Sequence, residues 1–270
     1  MTLIEKNILT MKVFEAVEKS EVCPLCYLWT KNEERYVKHV LTSEVVMNPE
    51  FRENVVAAFG FCNRHAHMLY EAIHERDVDD GLGYALYMND VFERVGEQLS
   101  SLYKSLHNIS ESLKDRKRYR KKTSIISLND LMKRLIGHKT QKRECPICEH
   151  LKSMDQIYSY TLIQMLDDED FRKDFNSSKG LCLPHFITAM QIITVIKLKN
   201  PIHIAQTLLD NETKHFQLIQ NLLSEFIRKQ SWEFRNEPHG PEVNANFLSL
   251  NYLVGAKGYI LDDNPRMKKY

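Results

Sequence analysis

Cys23-Pro24-Leu25-Cys26, followed after thirty-five residues by Cys62-Asn63-Arg64-His65, is the stretch that organises this chain. It returns as Cys145-Pro146-Ile147-Cys148 and, after thirty-three residues, Cys182-Leu183-Pro184-His185. The two copies use all six cysteines of the 270 residues. A CxxC joined to a CxxH supplies three thiolates and one imidazole, a full tetrahedral shell for a metal ion. One CxxC alone reads as buried thiols or as a redox pair. The redox reading needs a βαβ setting, and no convincing strand pattern is present.

The repeat extends beyond the ligands. Phe51-Arg52 and Phe171-Arg172 each stand eleven residues before the third cysteine of their copy, and Gly60 and Gly180 stand two before it. A period of about 120 residues exceeds that of stacked solenoid repeats and reads as a tandem duplication. Its fold class reads as all-α. Each unit starts with a short amphipathic helix: Leu3, Ile4, Ile8, Met11, Phe14 and Val17 in the first, Leu128, Leu131, Met132 and Leu135 in the second. The CPxC opens a helix with proline at an early position, where a missing N–H is harmless. Asn48-Pro49 and the acidic Asp167–Asp170 run start a short helix, which Gly60 or Gly180 ends in a left-handed turn. The CxxH begins another helix, and a long helix closes each unit, about 82–113 and 202–234.

This places one unit over 1–113, a linker over 114–126, a second unit over 127–240, and a C-terminal helix and tail over 241–270. Each unit is expected to close its own cage: Cys23, Cys26, Cys62 and His65 in the first, Cys145, Cys148, Cys182 and His185 in the second. His67 and His150 match Ile187 and Leu28 in the other copy, which argues against either as a ligand.

Helix N-termini favour thiolate, and a Cys and a His three apart project to one side of a helix. Arg52, Arg64 and Arg172 are candidates to offset the −1 charge of three thiolates on a dication. Two Zn2+ ions are the expected cofactors, with two iron–sulfur clusters as the alternative that the same ligands allow. A site filled by four protein ligands leaves no open position for water, so the metals read as structural rather than catalytic. No nucleophile–base set, GxGxxG or P-loop is present, and the chain is expected not to be an enzyme.

The long helices carry a regular apolar period. Met88, Phe92, Val95, Leu99, Leu102, Leu106, Ile109 and Leu113 alternate steps of four and three, a coiled-coil-like seam. Ala205, Leu209, Glu212, Phe216, Ile219, Leu223 and Phe226 follow the same rhythm, interrupted by Glu212. Such seams serve packing within the unit, pairing of the two long helices, or a homodimer.

Hydrophobic content is 43% and net charge +1, but the charge is segregated. Residues 112–144 hold twelve Lys/Arg against three acids. The densest run is Lys114, Arg116, Lys117, Arg118, Tyr119, Arg120, Lys121 and Lys122, where cations can neutralise phosphates and an aromatic ring can stack on a base. Its alternative is a solvated linker held extended by its charge. No apolar run approaches the roughly 20 residues of a membrane-spanning helix. Glu5, Glu15 and Glu18 argue against a secretory signal, and a reducing, cytoplasmic location suits metal-bound thiolates.

These motifs, CPLC at 23–26, GFCNRH at 60–65, GLGYALYM at 81–88, CPIC at 145–148, GLCLPHF at 180–186 and WEFRNEPHG at 232–240, together resemble an uncharacterised prokaryotic family of domain-of-unknown-function proteins. The resemblance implies the duplication and the metal ligands, and brings no reaction with it. Taken together, the expectation is a non-enzymatic tandem zinc module that binds RNA or the ribosome in two parts. An iron–sulfur redox or sensor protein and a protein–protein adaptor dimerising through its long helices are the alternatives.

Overall fold

The computed structural model describes residues 7–75, 81–114, 144–234 and 236–259, with backbone only for 109–114. The protein is all-α, and no strand occurs among the described residues. The helices are α1 (Ile8–Lys19), α2 (Pro24–His39), α3 (Ser43–Val46), α4 (Pro49–Ala57), α5 (Asn63–Ala72), α6 (Leu82–Lys114), α7 (Pro146–Met165), α8 (Glu169–Ser177), α9 (Leu183–Val195) and α10 (Pro201–Lys229). A 3-10 turn at Pro241–Asn244 then leads into α11 (Ala245–Val254). No described helix is long and apolar enough to cross a membrane.

The local signals act as their chemistry requires, and they act twice. Asn48 caps α4 by accepting from the N–H groups of Glu50 and Phe51, and Asp168 caps α8 by accepting from Asp170 and Phe171. Gly180 (φ +69°) makes the left-handed turn after α8, whereas after α4 the left-handed position is taken by Phe59 (φ +57°), and Gly60 (φ +93°) follows it and donates its N–H to the Val55 carbonyl (2.8 Å). Cys62 and Cys182 are the N-cap residues of α5 and α9. The lead-in helix differs from the expected phase. Val13, Ala16 and Val17 of α1 are buried while Ile8 and Met11 are exposed. The inward face is the one that meets α8, with Phe14 edge-on to Phe171 at 4.9 Å.

The chain forms two compact units, and they do not follow the two repeats. One comprises residues 1–33 and 151–270, the other 34–150, so the boundaries fall inside α2 and inside α7 rather than at the basic run. In the first unit, α1, the start of α2, and α7 to α10 bury one core that includes Leu25, Leu162, Leu166, Phe171, Phe175, Leu181 and Ile204. Each fully buried Leu, Ile or Phe contributes roughly 1.5–3 kcal/mol. The C-terminal segment packs on α9 and α10. Arg228 pairs with Glu225 and Glu237 and lies over the Phe234 ring. Lys229 donates to Glu242 Oε1 (2.8 Å) and to the Pro238 carbonyl (2.8 Å). Glu242 also accepts the Gly240 N–H, and these bonds hold its carboxyl down at about 2.

In the second unit α3 and α4 pack on the first turns of α6. Tyr87 is fully buried and donates its hydroxyl to the Val40 carbonyl (2.7 Å), with Phe51 and Phe61 edge-on to its ring. Arg52 forks Asp90 with two bonds of 2.6 Å, so this guanidinium is taken up by α6. Beyond Val91 the seam of α6 emerges from the unit, and Phe92, Leu99, Tyr103 and Leu106 are exposed.

The basic residues Arg116, Lys117, Arg118, Tyr119, Arg120, Lys121 and Lys122 lie outside the described residues, as do Leu3, Ile4, Leu128, Leu131, Met132, Leu135 and the side chain of Lys114.

Candidate metal centres

Eight side chains gather into two cages, each with its four ligand atoms within 4.8 Å of one another. The ligands are the eight expected from the motifs, but their partnership is crossed. Cys23 and Cys26 meet Cys182 and His185, while Cys62 and His65 meet Cys145 and Cys148. The expectation that each repeat closes its own cage is overturned. Each CxxC is completed by the CxxH of the other repeat. The physical reason is the path of α2 and α7: each starts at a cage in one unit and ends in the other, the one that holds the CxxH of its own repeat, so its CxxC stays in the unit of the other repeat's CxxH.

Each cage is built where two helices begin. Pro24 and Cys26 stand in the first turn of α2, and His185 in the first turn of α9. Pro146 and Cys148 stand in the first turn of α7, and His65 in the first turn of α5. The carbonyls of Cys23, Cys62, Cys145 and Cys182 each accept the N–H four residues on (2.8–3.0 Å), which locks the ligands into their turns. Two helix N-termini thus aim partial positive charge at three sulfurs, which favours the thiolate form.

The distances fit one ion per cage. In the first, Cys26 Sγ lies 3.5 Å from Cys182 Sγ and from His185 Nδ1, and Cys23 Sγ lies 3.5 Å from the same nitrogen. In the second, Cys62 Sγ lies 3.7 Å from Cys148 Sγ, and His65 Nδ1 lies 3.3–3.6 Å from Cys62, Cys145 and Cys148. Tetrahedral ligands on bonds of about 2.3 Å to sulfur and about 2.0 Å to nitrogen stand roughly 3.5–3.8 Å apart.

Electrostatics asks for a cation in both places. Burial opposes ionisation of Cys23, yet hydrogen bonds from Cys182 and Cys26 hold it well below the usual thiol range. Bonds with Cys23 and Cys26, together with burial, push Cys182 far up. Bonds from Cys145 and Cys148 hold Cys62 low, while Cys145, Cys62 and burial push Cys148 up. Three crowded thiols cannot all be anions by themselves; a divalent ion lets them.

The first cage is the better enclosed. Cys182 and His185 are fully buried, whereas Cys62 of the second cage is only half-buried. His185 Nε2–H donates to Asp155 Oδ1 (2.9 Å); a carboxylate only accepts, so in the neutral imidazole that a metal requires the proton sits on Nε2 and the Nδ1 lone pair faces the sulfurs. Tyr259 donates to Asp155 Oδ2 (3.4 Å) and sets its ring 4.4 Å from that of His185. The Ala256 N–H donates to Cys26 Sγ (3.2 Å).

Asp155, Ala256 and Tyr259 carry no motif and were missed in the sequence. A signal for Asp155 was present: it stands ten residues after Cys145, and Glu33, another acid, stands ten after Cys23. The C-terminal tail, without a role in the sequence, supplies two of these three contacts. His67 is exposed, and His150 stacks on Tyr36 (3.5 Å, 7° between planes) with its pKa lowered to about 4 by burial and by His39. Neither belongs to a cage.

No curated protein and no solved structure matches the chain. Residues 4–258 match the model of a family described as Family of unknown function (DUF6062), and with nearly its whole length covered the chain belongs to that family.

Proposed function

We propose that this is a non-enzymatic protein in which two Zn2+ ions staple the two repeats to each other. The observation that carries the reading is the crossed pair of cages, each offering three sulfurs and one Nδ1. Zinc, when bound, would supply a redox-inert tetrahedral joint with no open position. The chain's own residues do the rest. Helix starts present the sulfurs, Asp155 orients His185, and the tail donates the Ala256 N–H to Cys26.

The spacing of the ligand atoms supports a single ion over an iron–sulfur cluster. A cluster places each ligand on a different iron and so spreads its ligands wider than one ion does. The test is elemental analysis and the visible spectrum of protein purified without added metal. Two zinc per chain and no colour are expected; a brown protein containing iron and acid-labile sulfide overturns the reading. A partner among RNAs, including the ribosome, rests on the charge of residues 114–122, and reversal of four of these charges should abolish RNA binding in a salt-titrated assay.

A further inference from the structure

The two cages share one ligand set but not one degree of cover. Of the eight ligands, Cys62 alone is not buried. Cys182, at the same position of the other repeat, is 0% exposed. The cause is local. After α8, Ser178 leaves the helix in extended backbone, and Leu181 enters the core just ahead of Cys182. After α4, Ala58 stays helical and Phe59 turns left-handed. Phe61 is then only partly buried, against Tyr87, and the Cys62 that follows it stays partly open to water.

The first cage is sheltered even where a cleft reaches it. Cys23 and Cys26 line a cleft of about 420 Å³ with Tyr27, Phe247 and Ala256, yet they are 2% and 6% exposed. Cys26 also accepts the Ala256 N–H, and a sulfur engaged by a donor is a poorer nucleophile. Thiolates oxidise where the oxidant can reach them. In the second cage an oxidant that reaches Cys62 meets a second thiol beside it. Cys148 Sγ lies 3.7 Å from Cys62 Sγ, and a disulfide of about 2.05 Å requires only that this gap close.

We propose, on the reading of two structural Zn2+ ions, that the second cage is a hydroperoxide-sensitive joint, which gives up its metal while the first cage keeps its own. The Cys62 thiolate attacks one oxygen of hydrogen peroxide; an S–O bond forms as the O–O bond breaks, and hydroxide leaves. The Cys148 thiolate then attacks the Cys62 sulfur; the S–S bond forms, the S–O bond breaks, and a second hydroxide leaves. Two thiolates have lost two electrons and peroxide has gained them. His65 and Cys145 remain, too few for a closed four-ligand site.

The test uses the full chain with its zinc content measured first. Hydrogen peroxide is added up to one equivalent. A chromogenic chelator reads free metal, and differential alkylation with peptide mass spectrometry reads each cysteine. One equivalent of zinc is expected to leave in step with a Cys62–Cys148 disulfide, roughly tenfold or more faster than the second equivalent. Dithiothreitol with added zinc should restore both. Cys62→His keeps four ligands without a thiol at the open position; it should hold both metals and slow the first release by roughly tenfold or more. Where that variant does not keep two metals, the cysteine map of the unmodified chain decides. Release from the first cage first, equal release from both, or oxidation that begins at a cysteine other than Cys62 overturns the inference and leaves the zinc reading intact. A chain that carries no zinc fails that reading before peroxide is added, and this inference with it.

Discussion

Gly180 and Gly60 both take a positive φ two residues before a cage cysteine, but they stand in different surroundings. A Cβ at Gly60 would come no nearer than 3.9 Å to Val91, whereas one at Gly180 would lie 2.2 Å from Asn211 Oδ1 and 2.9 Å from the His215 ring. Gly60→Ala therefore carries the backbone cost alone, about 1–2 kcal/mol. Gly180→Ala adds an overpacking cost of about 1–3 kcal/mol, and it moves a residue two positions before Cys182. Denaturant midpoints should fall clearly further for Gly180→Ala; equal losses would contradict this placement of α10. Asp155 reaches the cage through His185. Asp155→Asn keeps an acceptor but removes the charge, so affinity at one of the two metal sites should drop about 10–100-fold. Competition with a chromogenic chelator reads this directly, as one equivalent of metal released early and one late.

The long helices end differently because of what they bury. In α6 the seam runs out into solvent, whereas α10 packs on α9 and α11 and buries Ile204, Thr207, Leu208, Asn211 and Glu212, leaving Leu209 and Phe216 of its expected seam exposed. Burial pushes Glu212 up to about 7 from an ordinary 4.5, against the hydrogen bond from Tyr252 and with a further push from Cys23. An acid raised in the folded state favours folding only while it keeps its proton. The contribution is intact below about 4.5, where the unfolded chain is also protonated, and it is lost as pH climbs towards about 7. Glu212→Gln removes the ionisation. Its stability relative to the unmodified protein should rise between these two pH values and level off above them, and thermal melts across the range with metal bound would detect this. A constant difference across the range would refute a buried, titrating carboxyl.

For the molecule as a whole, the crossed ligands mean that each metal joins segments far apart in the chain, Cys26 with Cys182 and His65 with Cys148. Closing long loops costs chain entropy in the folded state, and an ion bound only after closure offsets that cost. Metal counts expose the partnership without a structure. Cys23→Ser should lose one of two metals, and Cys23→Ser/Cys182→Ser should still lose only that one. Cys23→Ser/Cys62→Ser should lose both. Cages closed within each repeat would give the reverse pattern for the two double variants. The first cage also cannot form until residue 185 has been synthesised, so the N-terminal CxxC remains without its partner ligands through most of translation.

Much of this was written locally. The cysteine spacing named all eight ligands, Asn48 and Asp168 set helix starts, Gly180 sets the turn after α8, and the apolar period of α6 predicted its extent to within a residue. Such features act over one or two turns, so the sequence alone determines them. The phase of α1 was not legible, because the face it buries is chosen by Phe171 and its neighbours on α8. Asp155 and Tyr259 were hidden for the same reason: an acid on one helix and a ring in the tail become neighbours of His185 only when three segments meet. The choice of partner between two chemically equivalent CxxH motifs was decided by the tertiary structure. Either imidazole suits either pair of thiolates, and the path of α2 and α7 through the packed core determines which one each pair reaches.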